Sequence, residues 1–136
     1  MKKVLLFLFF LPFVVCSCSS DEEDDKRIVE EHSYYVKYEI TASGYTNFGH
    51  SISFALTYTF TTDTGNKTVT TGQAKDHNWE ATYGPFKKGK KILLDVSKAN
   101  RNHARIYVSR DKEPFVIKAE SDVEYSPISL QYTIDY

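Results

Sequence analysis

From Ser33 onward the chain alternates apolar and polar residues with a period of two. Tyr34, Val36, Tyr38 and Ile40 alternate with Tyr35, Lys37, Glu39 and Thr41, which is the pattern of a strand with one buried face. Ile52, Phe54, Leu56, Tyr58 and Phe60 repeat it against Ser53, Ala55, Thr57, Thr59 and Thr61. β-Branched and aromatic side chains dominate both runs, and a pleated, half-buried surface favours them. Asp63-Thr64-Gly65-Asn66 supplies a turn, because Gly and Asn tolerate positive φ. Lys67 to Gln73 returns as a threonine-rich, exposed strand around Val69, and Trp79, Ala81 and Tyr83 form a further set that stops at Gly84-Pro85. Ile92, Leu94 and Val96 make the next strand. Ser97 to Asn102 is a polar connection with Asn100 and Asn102 as turn formers, and Ala104, Ile106 and Val108 follow it. Arg110 to Pro114 reads as a tight loop into Phe115, Ile117 and Ala119, and Ile128, Leu130, Tyr132 and Ile134 give the last alternation. No window keeps an i, i+3, i+4, i+7 apolar pattern for three turns. About seven or eight short strands with turn signals every ~8–12 residues predict an all-β fold, a single antiparallel β-sandwich over residues 33–136. Its core is the inward set of each strand.

The first part of the chain has another pattern. Met1-Lys2-Lys3 is a short basic start, Val4 to Val15 is apolar apart from Pro12, and Val15-Cys16-Ser17-Cys18 follows. This is the layout of a secretory signal peptide over residues 1–17. The apolar run is too short for a transmembrane helix, which needs about 20 residues. Its ending resembles the lipobox of bacterial lipoproteins, in which a small residue precedes the cysteine that is lipidated. Cys16 follows Val15, a poor small-residue site. Cys18 follows Ser17 with Val15 three residues back, so the resemblance places the lipid on Cys18 and implies a membrane anchor. Ser19, Ser20, Asp21, Glu22, Glu23, Asp24 and Asp25 come next. Like charges in a block repel and make a solvated tether, here residues 18–32. A serine and an acidic cluster behind a lipidated cysteine also resemble the export signal of Bacteroidetes lipoproteins. That implies a place on the outer membrane facing the cell exterior, a periplasm-facing anchor being the alternative.

Composition narrows the chemistry. Cys16 and Cys18 are the only cysteines, so the body of the protein holds no disulfide, thiol nucleophile or cysteine-bound metal. The formal net charge is −1. The five acids from Asp21 to Asp25 and the leader's two lysines account for −5 and +2, which leaves Lys26 onward near +2. Such a balance gives no argument for nucleic-acid binding. His32, His50, His77 and His103 are far apart and lack H-x-H or H-E-x-x-H spacing. Asp76-His77 is an acid–histidine neighbour pair, expected at the surface in a loop before Trp79. No G-x-S-x-G elbow, P-loop, G-x-G-x-x-G or D-x-D-x-D-G calcium loop is present. Asn66-Lys67-Thr68 fits a glycosylation sequon but reads more simply as part of the turn. No cofactor or metal is expected, and no catalytic residue is assigned.

Two features point to binding instead. Of the ten tyrosines, Tyr35, Tyr107 and Tyr125 fall on the polar phase of their strands and are expected at the surface or rim. Exposed aromatics there could stack on sugars or anchor a protein interface, or serve only as cross-strand partners. Tyr83 to Lys91 holds a basic loop with Lys87, Lys88, Lys90 and Lys91. It could meet phosphate or acidic sugars of the envelope, protect a sheet edge, or attract the acidic tether.

Tyr34 to Ile40, Trp79 with Gly84-Pro85-Phe86, Tyr107 to Lys112 leading into Phe115 to Lys118, and Leu130 to Ile134 resemble small Bacteroidetes lipoproteins. Their β-sandwich is similar to that of the MmpS-type accessory proteins of mycobacterial lipid transport. The resemblance covers residues 33–136 and implies a sandwich, with an accessory role in lipid or efflux transport as one possible function. That family carries a membrane helix where this chain has Cys18. Two classes of function follow. One is a non-catalytic binding or accessory module on the outer membrane, for a partner protein or an envelope or host glycan. The other is a small glycan-active hydrolase using dispersed acids such as Asp76, Glu80 and Asp95.

Overall fold

The computed structural model describes residues 30–136, and the expected signal peptide over residues 1–17, Cys18 and the acidic run of Asp21 to Asp25 lie outside the described residues. Where the alternation is cleanest, the strands are as expected. β1 (Tyr34–Ser43) buries Tyr34, Val36, Tyr38, Ile40 and Ala42 on one face and turns Tyr35, Lys37, Glu39 and Thr41 away from it. It is central in its sheet because it pairs antiparallel on both sides, with β6 (Asp76–Phe86) and with β8 (Arg101–Arg110). β9 (Val116–Glu124) completes the order β6-β1-β8-β9. A second antiparallel sheet has the order β10-β7-β4-β5, made of β4 (Thr57–Thr62), β5 (Gly65–Thr70), β7 (Lys91–Val96) and β10 (Ile128–Thr133). No helix occurs among the described residues.

The two sheets share one core. Tyr38 and Ile40 from β1 and Ala104, Ile106 and Val108 from β8 meet Leu56, Tyr58, Phe60, Ile92, Leu94 and Val96 from the other side. The buried Tyr38 and Phe60 meet the partly buried Trp79 and Tyr83 of β6 in an aromatic group with ring centroids 4.8–6.3 Å apart. The Tyr38 hydroxyl donates across the core to the Thr61 carbonyl at 2.7 Å, so the one polar atom of a wholly buried ring is satisfied.

The all-β expectation holds, but the described residues form ten strands in three sheets rather than one sandwich of seven or eight. The extra pieces are β2 (Thr46–Asn47) and β3 (His50–Ser51), a ribbon with no buried face and therefore no apolar period to announce it. The strand expected from Ile52 begins only at Thr57. Ile52 is exposed and Phe54 forms just an isolated bridge to Ala74. Asp76-His77 opens β6 instead of lying in a surface loop. His77 is buried, with Nε2 2.9 Å from the Phe54 carbonyl and its ring edge-on to Phe54. Asn102, expected in a turn, is a buried strut of β8 whose Nδ2 donates to the Ser97 and Ser126 carbonyls at 2.9 and 2.8 Å.

A further difference shapes the surface. Phe115 and Ile117 were expected inward with Ala119. A β-bulge between Ile106 and Tyr107 sets Tyr107 opposite Ile117 but Ile106 opposite Ala119, so Lys118 is the extra residue and the strand changes phase there. Ala119 faces the core, and Phe115 and Ile117 face out.

Gly44 joins β1 to the small ribbon at a point of close backbone approach. Its amide donates to the Lys75 carbonyl at 2.7 Å, and a Cβ added there would run into the Ile52 carbonyl oxygen and stand 3.1 Å from both the Lys75 oxygen and Phe54. Backbone atoms cannot swing aside as a flexible side chain can. Gly44→Ala is therefore expected to cost about 1–3 kcal/mol and to lower the thermal midpoint. An unchanged midpoint would show that the ribbon is not held by this approach.

Candidate functional site

The outward residues of β6, β1, β8 and β9 form rows across the first sheet, because antiparallel register places them opposite one another. One row is Glu80, Glu39, Arg105 and Glu120, and the next is Asn78, Thr41, His103 and Asp122. Glu80 directly opposite Glu39 would repel if unpaired. Each has its own compensation. Glu39 accepts from the Tyr107 hydroxyl at 2.8 Å and from Arg105 at 3.4 Å, while Glu80 lies 3.6 Å from the Lys37 ammonium. Arg105 Nε donates to Glu120 at 2.6 Å, and this bond above all holds its guanidinium above its ordinary pKa. His103 stands between Glu120 and Asp122, with ring nitrogens 3.3 and 3.6 Å from their carboxylates. Glu39 and Arg105 of the first row and all of the second line an open depression of about 640 Å³ that includes Arg101 and Asp76.

The row toward the other end of the strands is less polar. Thr82, Lys37, Tyr107 and Ile117 stand side by side. Lys37 lies over the Tyr107 ring, 4.4 Å from its centroid, with Phe115 beyond at 6.0 Å. Tyr35, Thr82, Ser109 and Phe115 line a neighbouring depression of about 350 Å³. Phe115, Val116 and Ile117 are 41%, 52% and 47% exposed, three consecutive large apolar residues at the free edge of the sheet.

The structure thus brings Tyr35 and Tyr107 onto one face and adds Phe115 and Ile117, which periodicity had assigned to the core. The bulge was the missing signal, since nothing in Phe115-Val116-Ile117-Lys118 marks one residue as supernumerary. Tyr125 lies elsewhere, exposed after β9 and paired with Tyr45. Lys87, Lys88, Lys90 and Lys91 are all exposed around the turn from β6 to β7, where the Gly89 amide bonds to the Ile134 carbonyl at 2.7 Å. Lys87 pairs with Glu31, so the start of the described chain lies beside this loop. Nearby, Asp111 accepts from the Ser33 amide at 3.0 Å and lies 2.7 Å from His32 Nδ1. Those two bonds lower the pKa of its carboxyl, the Ser33 amide contributing most.

Asp76, Glu80 and Asp95 do not converge. Asp76 and Glu80 belong to β6, whereas Asp95 is on the outer face of β7 in the other sheet, accepting from Ser129 at 2.6 Å. Among the described residues, no group of three or more His, Cys, Asp or Glu side chains is placed to hold a metal ion. No protein-family model, curated protein or solved structure matches the chain.

Proposed function

We propose that the protein is a non-catalytic binding module, lipidated at Cys18 and displayed on the outer membrane on its acidic tether, whose ligand is a partner protein. The observation that supports it best is the exposed Phe115-Val116-Ile117 run at the free edge of β9, beside Tyr35, Tyr107 and Lys37. An open strand edge offers backbone donors and acceptors to an incoming extended segment, and apolar side chains beside it add affinity. A protein suits this face better than a glycan. The Tyr107 ring is covered by Lys37 and its hydroxyl is held by Glu39, so the ring is not free to stack on a sugar. The other long edges lack such a run: β5 exposes Asn66, Lys67, Thr68 and Thr70.

Crosslinking on intact cells tests the assignment. A photoreactive side chain at Ile117 is expected to give one discrete protein adduct, and the same group at Thr68 of β5 none. Identical adducts from both positions, or none from Ile117, would remove the β9 edge as the binding surface.

A further inference from the structure

The end of the domain reached by the last residues of β1 carries a different apolar feature. β2 and β3 pair Asn47 with His50 over the two-residue turn Phe48-Gly49, and both turn residues have positive φ, 48° and 78°. Tight hairpins require this geometry, and Gly or Asn meets it without strain. A bulky aromatic does not. Phe48 is nevertheless there, with its ring 94% exposed. Strain and exposure together point to a ring that is covered in the working state of the protein.

The surroundings say what covers it. Tyr45 and Tyr125 stand at the base of the hairpin with ring centroids 5.8 Å apart, Tyr125 also at positive φ, and Ile52 is exposed beside them. From Ile40 to Thr62 there is no Lys, Arg, Asp or Glu, in a chain that is 26% charged. Protein interfaces usually have polar rims. Here Lys75, Asp76, Arg101 and Glu124 stand back at the base of the hairpin, and the projecting ribbon from Thr46 to Ile52 carries no acidic or basic residue apart from His50. Hydrocarbon excludes charge, while tyrosines favour the level of the headgroups. We infer that the Phe48 tip, collared by Tyr45, Ile52 and Tyr125, inserts into the interfacial layer of a lipid bilayer.

The inference rests on the lipid anchor in one respect. One ring and one aliphatic side chain bind a bilayer weakly by themselves, and tethering to the same surface supplies the effective concentration. Chain length permits it. β1 runs from the end where the chain enters to the hairpin, and its 10 residues span about 33 Å. The twelve residues from Ser19 to Glu30 reach at most about 40–43 Å, so the hairpin end can turn back to the membrane that holds Cys18.

The lipidated full-length mature protein in phosphatidylcholine vesicles tests this. Trp79 is the only tryptophan, and the wild type therefore gives the background for Phe48→Trp. The emission of the new tryptophan is expected to shift to the blue in vesicles, to lose most of its intensity when the acyl chains are brominated, and to resist iodide. Emission that stays red and is quenched equally by iodide with and without vesicles overturns the insertion. A photoreactive side chain at position 48 that labels a single protein and no lipid on cells assigns the tip to a protein pocket and overturns it too. Flotation of the wild type with the vesicles separates the two readings. A protein that floats with residue 48 in water retains the anchor and loses the insertion, whereas one that does not float loses both.

Discussion

Cys18→Ala is expected to abolish incorporation of labelled palmitate and to empty the outer-membrane fraction of the protein. The effect should be all or none. Stable membrane attachment takes a lipid together with a second signal, or a spanning segment. Once the acidic run of Asp21 to Asp25 and the two leader lysines are set aside, the chain from Lys26 onward is near +2 in formal charge. Its basic loop of Lys87, Lys88, Lys90 and Lys91, at about 1 kcal/mol per residue near an anionic surface, falls short of a stable anchor without a lipid. The Phe48 tip is smaller still, one ring on a two-residue turn. Fractionation with a palmitate label measures this directly, and a Cys18→Ala protein that keeps both label and outer-membrane location refutes the anchor.

Tyr38→Ala should have the largest effect on folding. The ring is wholly buried between the sheets, against Phe60, Trp79 and Tyr83, and its hydroxyl bonds to the Thr61 carbonyl. Truncating a buried aromatic to alanine costs about 3–5 kcal/mol, against a typical domain stability of about 5–15 kcal/mol, so much of the protein is expected to unfold at moderate temperature. Tyr38→Phe keeps the packing and loses only the hydrogen bond, worth about 1 kcal/mol. Equal losses in the two variants, read from denaturant midpoints, would mean that the hydroxyl rather than the ring holds the sheets together. The same residue is expected to make the fold alkali-labile. Burial pushes the Tyr38 phenol well above its ordinary value and raises Tyr58 as well. The unfolded chain releases these protons near pH 10, while the folded protein retains them. The contribution is therefore fully present below pH 10 and is lost as the pH rises beyond it, and Tyr38→Phe should flatten the decline.

How far the fold was legible depended on where each strand lies. Tyr34 to Ala42, Ile92 to Val96 and Ala104 to Val108 are flanked by paired strands over much of their length and packed on one face. Burial and alternation coincide there, and the inward residues were readable. At the edges the coincidence fails. Ile52 belongs to no buried surface, and Phe115 and Ile117 alternate faultlessly yet face outward, because one extra residue on an edge strand reverses the face of everything before it. His77 and Asn102 misled for the opposite reason. Polar side chains become core residues when partners lie ready for them, here the Phe54 carbonyl for His77 and the Ser97 and Ser126 carbonyls for Asn102. Those partners are 23, 5 and 24 residues away in the chain.

The candidate surfaces divide along the same line. Tyr35 and Tyr107 could be named as outward residues from their phase alone. Their joining with Phe115 and Ile117 required the β1–β8 and β8–β9 registers and the bulge between Ile106 and Tyr107. Phe48 had no period to reveal it, and only the pairing of Asn47 with His50 put it at a tip. The sequence by itself determined the all-β class, the inward sets of the central strands, and the confinement of both cysteines to positions 16 and 18, which excludes disulfide and thiol chemistry from the residues that follow. Those properties depend on local alternation and composition, which a chain carries before it folds. Tertiary structure alone decided the register, the bulge, and which exposed residues became neighbours, because these depend on contacts between segments that the linear order keeps apart.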